Sequence, residues 1–202
     1  MMRSSASLYT DRLELKLVPL SLLEAIEQGE RGEVAEWIAG EIPEGWSGKA
    51  LIERAFGSPL ERVRRDPGSV YWGVRLMIDR IGDRRLIGSV VLNGRPDPSG
   101  TVEVGYGVET WAQHKGYAAE GVQAVIDWAL IQPEVSRVVA TTFPWHRASL
   151  RVIEKLGMRL IGTVPHDLLG DLLRFERKTD GFSDLYREME ETISPEHRMP
   201  RT

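Results

Sequence analysis

The chain of 202 residues has 42% hydrophobic and 28% charged residues, the balance of one globular domain. Its 26 basic and 30 acidic residues give a formal net charge of −4, so the chain as a whole attracts neither nucleic acid nor an anionic membrane. It contains no cysteine, which excludes disulfides, thiolate catalysis and cysteine-ligated zinc. No apolar run reaches the roughly 20 residues that span a bilayer. We therefore expect a cytoplasmic protein, a monomer or a homodimer, without membrane or nucleic-acid partners and without a metal.

The first half of the chain predicts strands, short helices and a β-hairpin. Leucine alternates with charged residues over 13–17, which is the two-residue period of a strand. Ser21 and Glu24 have the spacing of a capping box, so we expect the first helix to begin at Ser21. The predicted elements are a frayed arm over 1–10, a strand over 13–17, two short helices within 20–40 separated at glycine, a loop over 41–48, a helix over 49–66 that is interrupted at Ser58-Pro59, and hairpin strands over 70–78 and 86–92.

The second half alternates strands with helices. The predicted elements are strands over 102–108, 137–141 and 160–164, helices over 116–131 and 147–156, a partly helical lid over 165–183, a last strand over 184–190 and a disordered tail. Antiparallel hairpins followed by strand–helix–strand units predict an α/β fold, in which helices pack on a mixed sheet.

One segment carries the chemistry, residues 103–121 with the sequence EVGYGVETWAQHKGYAAEG. A strand ends there near Val108, and a helix begins near Gly116. The start of a helix exposes unpaired N–H groups with a partial positive charge, and a glycine followed by alanines lets a phosphate come close to them. Residues 113–115 add further donors. The same pattern also fits an ordinary turn with a solvated corner, so the residues alone leave both interpretations open.

The segment resembles the signature of the GNAT acetyltransferase superfamily. Gln113, Gly116 and Ala118 match its pattern Gln/Arg-x-x-Gly-x-Gly/Ala, and the strand before them is similar to the family's fourth strand. SLRVIEKLGM over 149–158 resembles the family's C-terminal helix. TDRLEL over 10–15 is similar to the opening strand of the Rim-type branch, which acetylates the N-terminal amines of ribosomal proteins. These motifs follow one another in the family's order.

The resemblance implies a mixed, mostly antiparallel central sheet that is splayed between its fourth and fifth strands and flanked by helices. It implies one acetyltransferase domain over 10–192, with flexible termini over 1–9 and 193–202. Acetyl-CoA would lie in the opening as cosubstrate. Its acetyl group would pass to a primary amine, a protein N-terminus or a small amine, by direct attack in a ternary complex. The alternative is a domain of the same fold that binds CoA as a sensor without catalysis.

The resemblance also assigns residues to the cofactor. The strand end would pair with the pantetheine arm, and the loop and helix start would bind the pyrophosphate. His146 stands where the Rim-type branch usually has an asparagine that contacts the pantetheine. A histidine could donate in the same way, could act as an acid or base near neutral pH, or could merely fill the loop. The cofactor-binding candidates are Tyr106, Gly107, Val108, Gln113, His114, Lys115, Gly116, Tyr117, Ala118, Ala119, His146 and Ser149.

Glu103 and Ser149 are the catalytic candidates. Glu103 lies on the strand beside which the thioester would sit, so its carboxylate could accept the proton of the amine, or it could simply face solvent. Many members of the superfamily have a tyrosine as the acid at the position of Ile153, which has no proton to donate. Ser149 is the alternative donor to the thioester sulfur, unless its hydroxyl only caps the helix. The backbone N–H near Val108 would bind the oxyanion.

Two other groups of residues have open interpretations. Trp46, in a loop with two glutamates, could help to gather a cationic amine, or the aromatic residues of this region could form core while the glutamates are solvated. Apolar residues at helical spacing favour the second interpretation. The basic residues Arg174, Arg177 and Lys178 could be a solvated corner or a site for an acidic partner.

Overall fold

The computed structural model describes residues 7–44, 46, 59–165 and 170–179. The strands are β1 (Ser7–Tyr9), β2 (Leu13–Leu17), β3 (Val74–Asp79), β4 (Leu86–Leu92), β5 (Thr101–Val108), β6 (Arg137–Thr142), β7 (Arg159–Val164) and β8 (Leu172–Lys178). The α-helices are α1 (Leu20–Gln28), α2 (Arg31–Ile38), α3 (Pro59–Arg65), α4 (Tyr117–Leu130) and α5 (Arg147–Lys155), and two short 3-10 helices cover Pro67–Trp72 and Thr110–Ala112. None of these helices combines the length and the apolar character needed to cross a membrane.

The strands join in one sheet, in the order β1-β2-β3-β4-β5-β6-β8-β7. Neighbouring strands run antiparallel except β5 and β6, which run parallel. This parallel pair joins only residues 101–103 to residues 137–139, so residues 104–108 have no partner on that side among the described strands. β5 and β6 are the fourth and fifth strands of the sequence-based prediction. The mixed α/β sheet that opens between them is therefore confirmed.

Helices pack on both faces of the sheet and enclose two cores. On one face α4 and α5 lie against a cluster that includes Leu15, Val104 and Val125. On the other face α1, α2 and α3 pack on a cluster that includes Leu76 and Val91. Side chains alternate along a strand, so the even-numbered residues of β5 face α4 and α5 and its odd-numbered residues face the opposite side.

The start of the chain departs from the prediction in two places. Ser7–Tyr9, expected to fray, form β1, because β2 offers them a free edge with which to pair. Pro19 precedes α1, and no side chain caps that helix, so the capping box predicted at Ser21 is wrong. Glu24 instead forms an ion pair with Arg64 of α3 at 3.0 Å.

The segment between β2 and β3 agrees with the prediction in part. Gly29 ends α1 with a left-handed φ of +79°, so the predicted break between two short helices is confirmed. The predicted strand over 70–78 begins only with β3, because Asp66 caps the 3-10 helix Pro67–Trp72 that takes up its first residues. Residues 49–58 of the predicted helix lie outside the described residues.

The C-terminal segment shows the largest departure. β8 lies inside the predicted lid over 165–183, and it inserts between β6 and β7. The lid is therefore wrong for this stretch. Its sequence, LLRFERK, does not alternate cleanly between apolar and charged residues, so the two-residue period gives no strand signal there. The strand predicted over 184–190 lies outside the described residues.

Trp46 belongs to the core formed with α1, α2 and α3. Its side chain is 4% exposed, and its backbone carbonyl accepts a hydrogen bond from Arg31. A side chain enclosed in this way cannot contact an amine in solvent. The hypothesis that Trp46 gathers the acceptor is therefore wrong, and the core interpretation holds.

Candidate active site

The opening between β5 and β6 leaves backbone groups of β5 without a strand partner. The N–H of Glu109 donates to the C=O of Ile87 on β4 at 2.9 Å, so the odd-numbered residues of β5 bond to β4. Alternate residues of a strand direct their N–H and C=O groups to opposite sides. Those of Tyr106 and Val108 therefore point into the opening, where an extended chain that carries amides could pair with them.

The predicted phosphate loop follows this strand edge and ends where α4 begins. Gly116 takes a left-handed φ of +86° immediately before Tyr117, the first residue of the helix. The N–H of Glu120 donates to the C=O of Gly116 at 3.1 Å, which is the first hydrogen bond of the helix. The N–H groups of residues 117–119 precede it and have no helical partner. They are available to an anion at this turn.

The residues before the glycine tie the loop to the strand. The side-chain amide of Gln113 donates to the C=O of Val108 at 3.2 Å. His114 has a left-handed φ of +61°, and its side chain is exposed. The ammonium of Lys115 lies 5.5 Å from the centre of the Trp111 ring. Both side chains, imidazole and ammonium, therefore remain at the surface of the loop as possible donors.

Arg12 braces the loop from the residue before β2, a contact that the sequence did not predict. Its Nη1 donates to the C=O of Lys115 at 3.0 Å, and its Nε donates to the carboxylate of Glu120 at 2.7 Å. The Thr10 hydroxyl and the Arg12 N–H donate to the same carboxylate, at 2.5 and 3.0 Å. Burial alone would raise the pKa of Glu120, but these hydrogen bonds outweigh it and hold that pKa below its usual value. We call this contact the Arg12–Glu120 brace.

α4 lies unusually close to the sheet at Gly121. A Cβ atom at this position would lie 2.5 Å from the Sδ of Met77 on β3. It would also lie 3.4 Å from the side chains of Leu13 and Leu15 on β2. The helix start is thus fixed by packing from below and by the Arg12–Glu120 brace from the side.

Tyr106 contacts Ser149 of α5. The two hydroxyl oxygens are 2.9 Å apart, and the Tyr106 hydroxyl is also 3.3 Å from the C=O of Ser149. Burial raises the pKa of the Tyr106 hydroxyl, and the hydrogen bond with Ser149 offsets part of that rise. Tyr106 therefore stays protonated and can hold the hydroxyl of Ser149 in one place.

His146, not Ser149, caps α5. Its Nδ1 accepts the N–H of Ser149 at 3.0 Å, so the alternative that Ser149 serves only as the cap is wrong. The Ser149 side chain is left to its contact with Tyr106. Ile153 is buried in the core at 2% exposure, in agreement with its having no role in proton transfer.

Glu103 lies at the point where β5 and β6 separate, on the face opposite α4 and α5. Its carboxylate accepts the Thr141 hydroxyl at 2.7 Å, and the side-chain amide of Asn93 lies at 3.5 Å. The flanking residues Val102 and Val104 point into the core on the other face, so they do not surround this carboxylate. The predicted acid and base thus lie on the two faces of the sheet, with the opening between them.

Glu109 is a second carboxylate that the sequence did not single out. It follows the last residue of β5, and the two-residue period places it on the same side of the strand as Glu103. Burial raises the pKa of the Glu109 carboxyl. A carboxyl whose pKa is raised in this way can exchange protons closer to neutral pH. The even spacing from Glu103 was the signal that could have found it.

Three comparisons place this geometry among known proteins. Residues 12–159 match the family described as Acetyltransferase (GNAT) domain. The uncharacterized N-acetyltransferase YjdG of Bacillus subtilis (strain 168) is 28% identical over 155 residues, which cover 76% of this chain and 89% of that protein. A GNAT-family acetyltransferase from Bacillus anthracis is 25% identical with a TM-score of 0.57, and the match covers 85% of this chain and 98% of that one.

A Rim-type enzyme has the same fold. RimL, a ribosomal L7/L12 α-N-protein acetyltransferase solved in complex with coenzyme A, is 15% identical with a TM-score of 0.55, over 84% of this chain and 95% of its own. The family match covers more than half of the chain and includes the opened strand, the loop and the start of α4. Sequence and geometry agree, and the chain belongs to the GNAT acetyltransferase family.

Proposed function

We propose that the protein transfers the acetyl group of acetyl-CoA to a primary amine, which is a protein N-terminus or a small amine. The observation that carries the proposal is the opening between β5 and β6, with the unpaired N–H groups of the loop following it. The pantetheine arm needs backbone partners and the pyrophosphate needs a helix start, and this region offers both. Membership of the GNAT family supports acetyl transfer as the reaction class.

The cofactor would lie along β5. Its pantetheine amides pair with the backbone of Tyr106 and Val108, and its pyrophosphate binds the N–H groups of residues 114–119, since the N–H of Gln113 donates to the C=O of Thr110 at 3.3 Å. The complex of RimL with coenzyme A supports the same ligand here. Acetyl-CoA is consumed in the reaction, so it is a cosubstrate and not a resident group.

The amine attacks the carbonyl carbon of the thioester while both substrates are bound. Glu103 accepts the proton that the amine loses through a chain of water molecules, because it lies five residues, roughly 16 Å, from Val108 along β5. The backbone N–H near Val108 donates a hydrogen bond to the oxyanion of the tetrahedral intermediate. The carbon–sulfur bond then breaks, which releases the acetylated amine and the thiolate of CoA.

Ser149 stabilises the leaving thiolate. Because Tyr106 can donate its proton to the Oγ of Ser149 at 2.9 Å, the proton of Ser149 is free to point at the sulfur. The hydrogen bond lowers the energy of the negative charge until the thiolate takes a proton from solvent. His146 supports this arrangement by fixing the backbone of Ser149.

The proposal is tested by ligand binding and by turnover. Calorimetric titration of the full chain with CoA, ATP and NAD should show affinity for CoA above the other two. Mixing the protein with acetyl-CoA and a panel of primary amines should release free thiol only when an amine is present. Equal affinity for ATP or NAD would contradict a CoA site. Binding of CoA without thiol release from any amine would leave the sensor alternative in its place.

Two matched glycine variants locate the cofactor. Gly116→Val forces a β-branched residue into a left-handed φ of +86° at the loop, and Gly29→Val does the same at +79° behind α1. We expect Gly116→Val to weaken CoA binding about tenfold or more, the loss of roughly 1.4 kcal/mol. Gly29→Val should bind CoA normally. Equal loss in both variants would show that the effect is general destabilisation and would remove the loop from the proposal.

A further inference from the structure

The basic residues that the sequence groups together at the end of the chain are separated by β8. Phe175 packs against the core beneath α4 and α5, so the odd-numbered residues of β8 face those helices. Arg177 accordingly forms an ion pair with Asp127 of α4 at 3.4 Å. Arg174 and Lys178 lie on the opposite face, the face that carries Glu103.

Glu176 forms ion pairs with the cationic side chains at one end of this face. It is 4% exposed, and its carboxylate accepts a hydrogen bond from Arg159 at 2.5 Å. The side chains of Arg137 and Lys178 lie 3.6 and 3.5 Å from the same carboxylate. These three cations therefore already have an anionic partner within the protein.

Arg174 differs from its neighbours. Its guanidinium makes no hydrogen bond or ion pair with any residue in the part of the chain that the structure describes, and its Nε is buried without an acceptor. Arg174 pairs with Gly162 of the neighbouring strand β7. A Cβ atom added to Gly162 would meet no atom within 4 Å. This half-buried cation thus lies beside open space, and no carboxylate of the described residues forms an ion pair with it. Such a cation is costly unless an anion binds to it.

The sheet places Arg174 near the candidate base. Arg174 is directly opposite Thr141 of β6, and directly opposite residues share a face of the sheet. The hydroxyl of Thr141 donates to Glu103 at 2.7 Å. Glu103 pairs with Val139, two residues before Thr141 on β6. The Cα atoms of Glu103 and Arg174 therefore lie on one face, separated by two strand spacings and by two residues along the strands, which is about 12 Å.

We propose that Arg174 binds an anionic group of the acceptor, so that the enzyme selects an amine that carries a carboxylate or a phosphate about 12 Å away. This inference rests on the proposed function, with Glu103 at the amine end. The guanidinium offers a planar pair of donors that matches both anions. Along an extended peptide, two residue steps cover about 7 Å, and the length of an acidic side chain covers most of the remaining distance. The structure thus points to an N-terminus with an acidic residue at its third position.

Amidated tetrapeptides that differ only at the third residue test the selection. We would measure kcat/KM for peptides with Glu, phosphoserine, Gln or Lys at that position, with acetyl-CoA saturating. The full chain should prefer the two anionic peptides over Gln by roughly tenfold or more, the effect of a charged hydrogen-bonded pair, and Lys should be the poorest. The Glu and phosphoserine arms show which anion is preferred. Binding of the N-acetylated peptides in the presence of CoA provides a second readout that needs no turnover.

Variants on the two faces of β8 provide the matched control. Arg174→Gln should abolish the preference for anionic peptides without changing the KM of acetyl-CoA, and Arg174→Glu should reverse it in favour of Lys. Arg177→Gln removes one charge from the same strand on the other face and should retain the preference. Acetylation without charge preference, or product binding without it, overturns the inference but leaves the proposed function intact. Absence of CoA binding removes the proposed function itself.

Discussion

The two halves of the sheet are built in different ways. β3 and β4, in the N-terminal half, are buried along almost their whole length between helices on both faces. β7, at the other end, is exposed at every position except its last, and Leu160 and Ile161 are 52% and 42% exposed. The enclosed half fixes backbone geometry, whereas the open half presents side chains. This difference suits a reaction whose donor is constant and whose acceptor is specific.

The site divides along the same line. The Arg12–Glu120 brace and the packing at Gly121 hold the cofactor loop from the enclosed half. Thr141 and Arg174 belong to the open half, on the side of the sheet where the acceptor would approach. Changes in the enclosed half should therefore alter the use of acetyl-CoA, and changes in the open half should alter the choice of amine.

The largest effect is expected at Glu103, where the two halves meet. Glu103→Gln keeps the shape of the side chain but cannot accept a proton, so turnover should fall by roughly 100- to 10,000-fold, the usual contribution of a general base. Affinity for CoA should not change, because the carboxylate faces away from the loop. Steady-state kinetics and calorimetric titration with CoA measure the two quantities.

Glu109→Gln is the matched control for this prediction. It removes a carboxylate from the same side of the same strand edge. If it abolishes turnover while Glu103→Gln retains it, Glu109 is the base and the assignment of Glu103 is wrong. A fall of less than about tenfold in both variants would mean that neither carboxylate takes the proton.

A smaller effect, confined to the cofactor, is expected at the Arg12–Glu120 brace. Arg12→Ala removes hydrogen bonds to Glu120 and to the loop carbonyl of Lys115, so the KM of acetyl-CoA should rise roughly tenfold with little change in kcat. Glu120→Gln should also raise the KM of acetyl-CoA. In the double variant the KM should rise no further than in the more impaired of the two single variants. Arg65→Ala, which breaks an exposed ion pair with Glu61, is the control. A fall in kcat at unchanged KM would place the brace in the chemical step instead.

A threefold to tenfold loss of kcat is expected when the hydrogen bond between Tyr106 and Ser149 is removed. Tyr106→Phe deletes the hydroxyl that holds Ser149, and one neutral hydrogen bond contributes about 1 kcal/mol. Ser149→Ala removes the donor to the sulfur itself and should cost at least as much, and the double variant should cost no more than Ser149→Ala, because Tyr106 acts through Ser149. Tyr71→Phe, at a partly buried tyrosine of the same core, should leave kcat unchanged. Additive losses in the double variant would mean that the two hydroxyls act separately.

The smallest effect concerns stability and pH in the enclosed half. The pKa of Glu120 is lower in the folded protein than the value of about 4.3 expected in the unfolded chain. Its contribution to the free energy of unfolding is therefore fully present above that value and is lost as the pH falls through the lower folded pKa. Denaturant unfolding between pH 6 and pH 3 should show a difference of about 1 kcal/mol between the wild-type chain and Glu120→Gln at the upper end, and a smaller difference at the lower end. A difference that is independent of pH would contradict this account.

The sequence predicted the parts of the fold that depend on local signals. The hairpin of β3 and β4, the loop at Gly116 and α4 all have clear periodicity or a glycine at the required turn, and the structure contains them. β8 has no such pattern, because charged and apolar residues follow one another without alternation. Its insertion between β6 and β7 is a property of the sheet as a whole, which no local window can reveal.

The supporting contacts of the site escaped prediction for a related reason. Arg12 and Glu120 are 108 positions apart, and only the folded sheet brings them together. The separation of Arg174 from Arg177 likewise needs the register of β8, since in the sequence both belong to one basic cluster. His146 was expected to contact the cofactor arm, and its role as the cap of α5 depends on the backbone conformation of that turn.

Gly121 limits which substitutions this protein can accept at the start of α4. Any larger side chain there must displace Met77 or lift α4 from the sheet, since the added atom would begin 2.5 Å from sulfur. The helix of 14 residues is a rigid body about 21 Å long, and position 121 is only one turn from its first residue. Such a lift would change the distances and angles at which the N–H groups of residues 117–119 could bind a phosphate. A substitution at this buried position, away from the reacting atoms, would therefore be measured as a higher KM for the acyl donor.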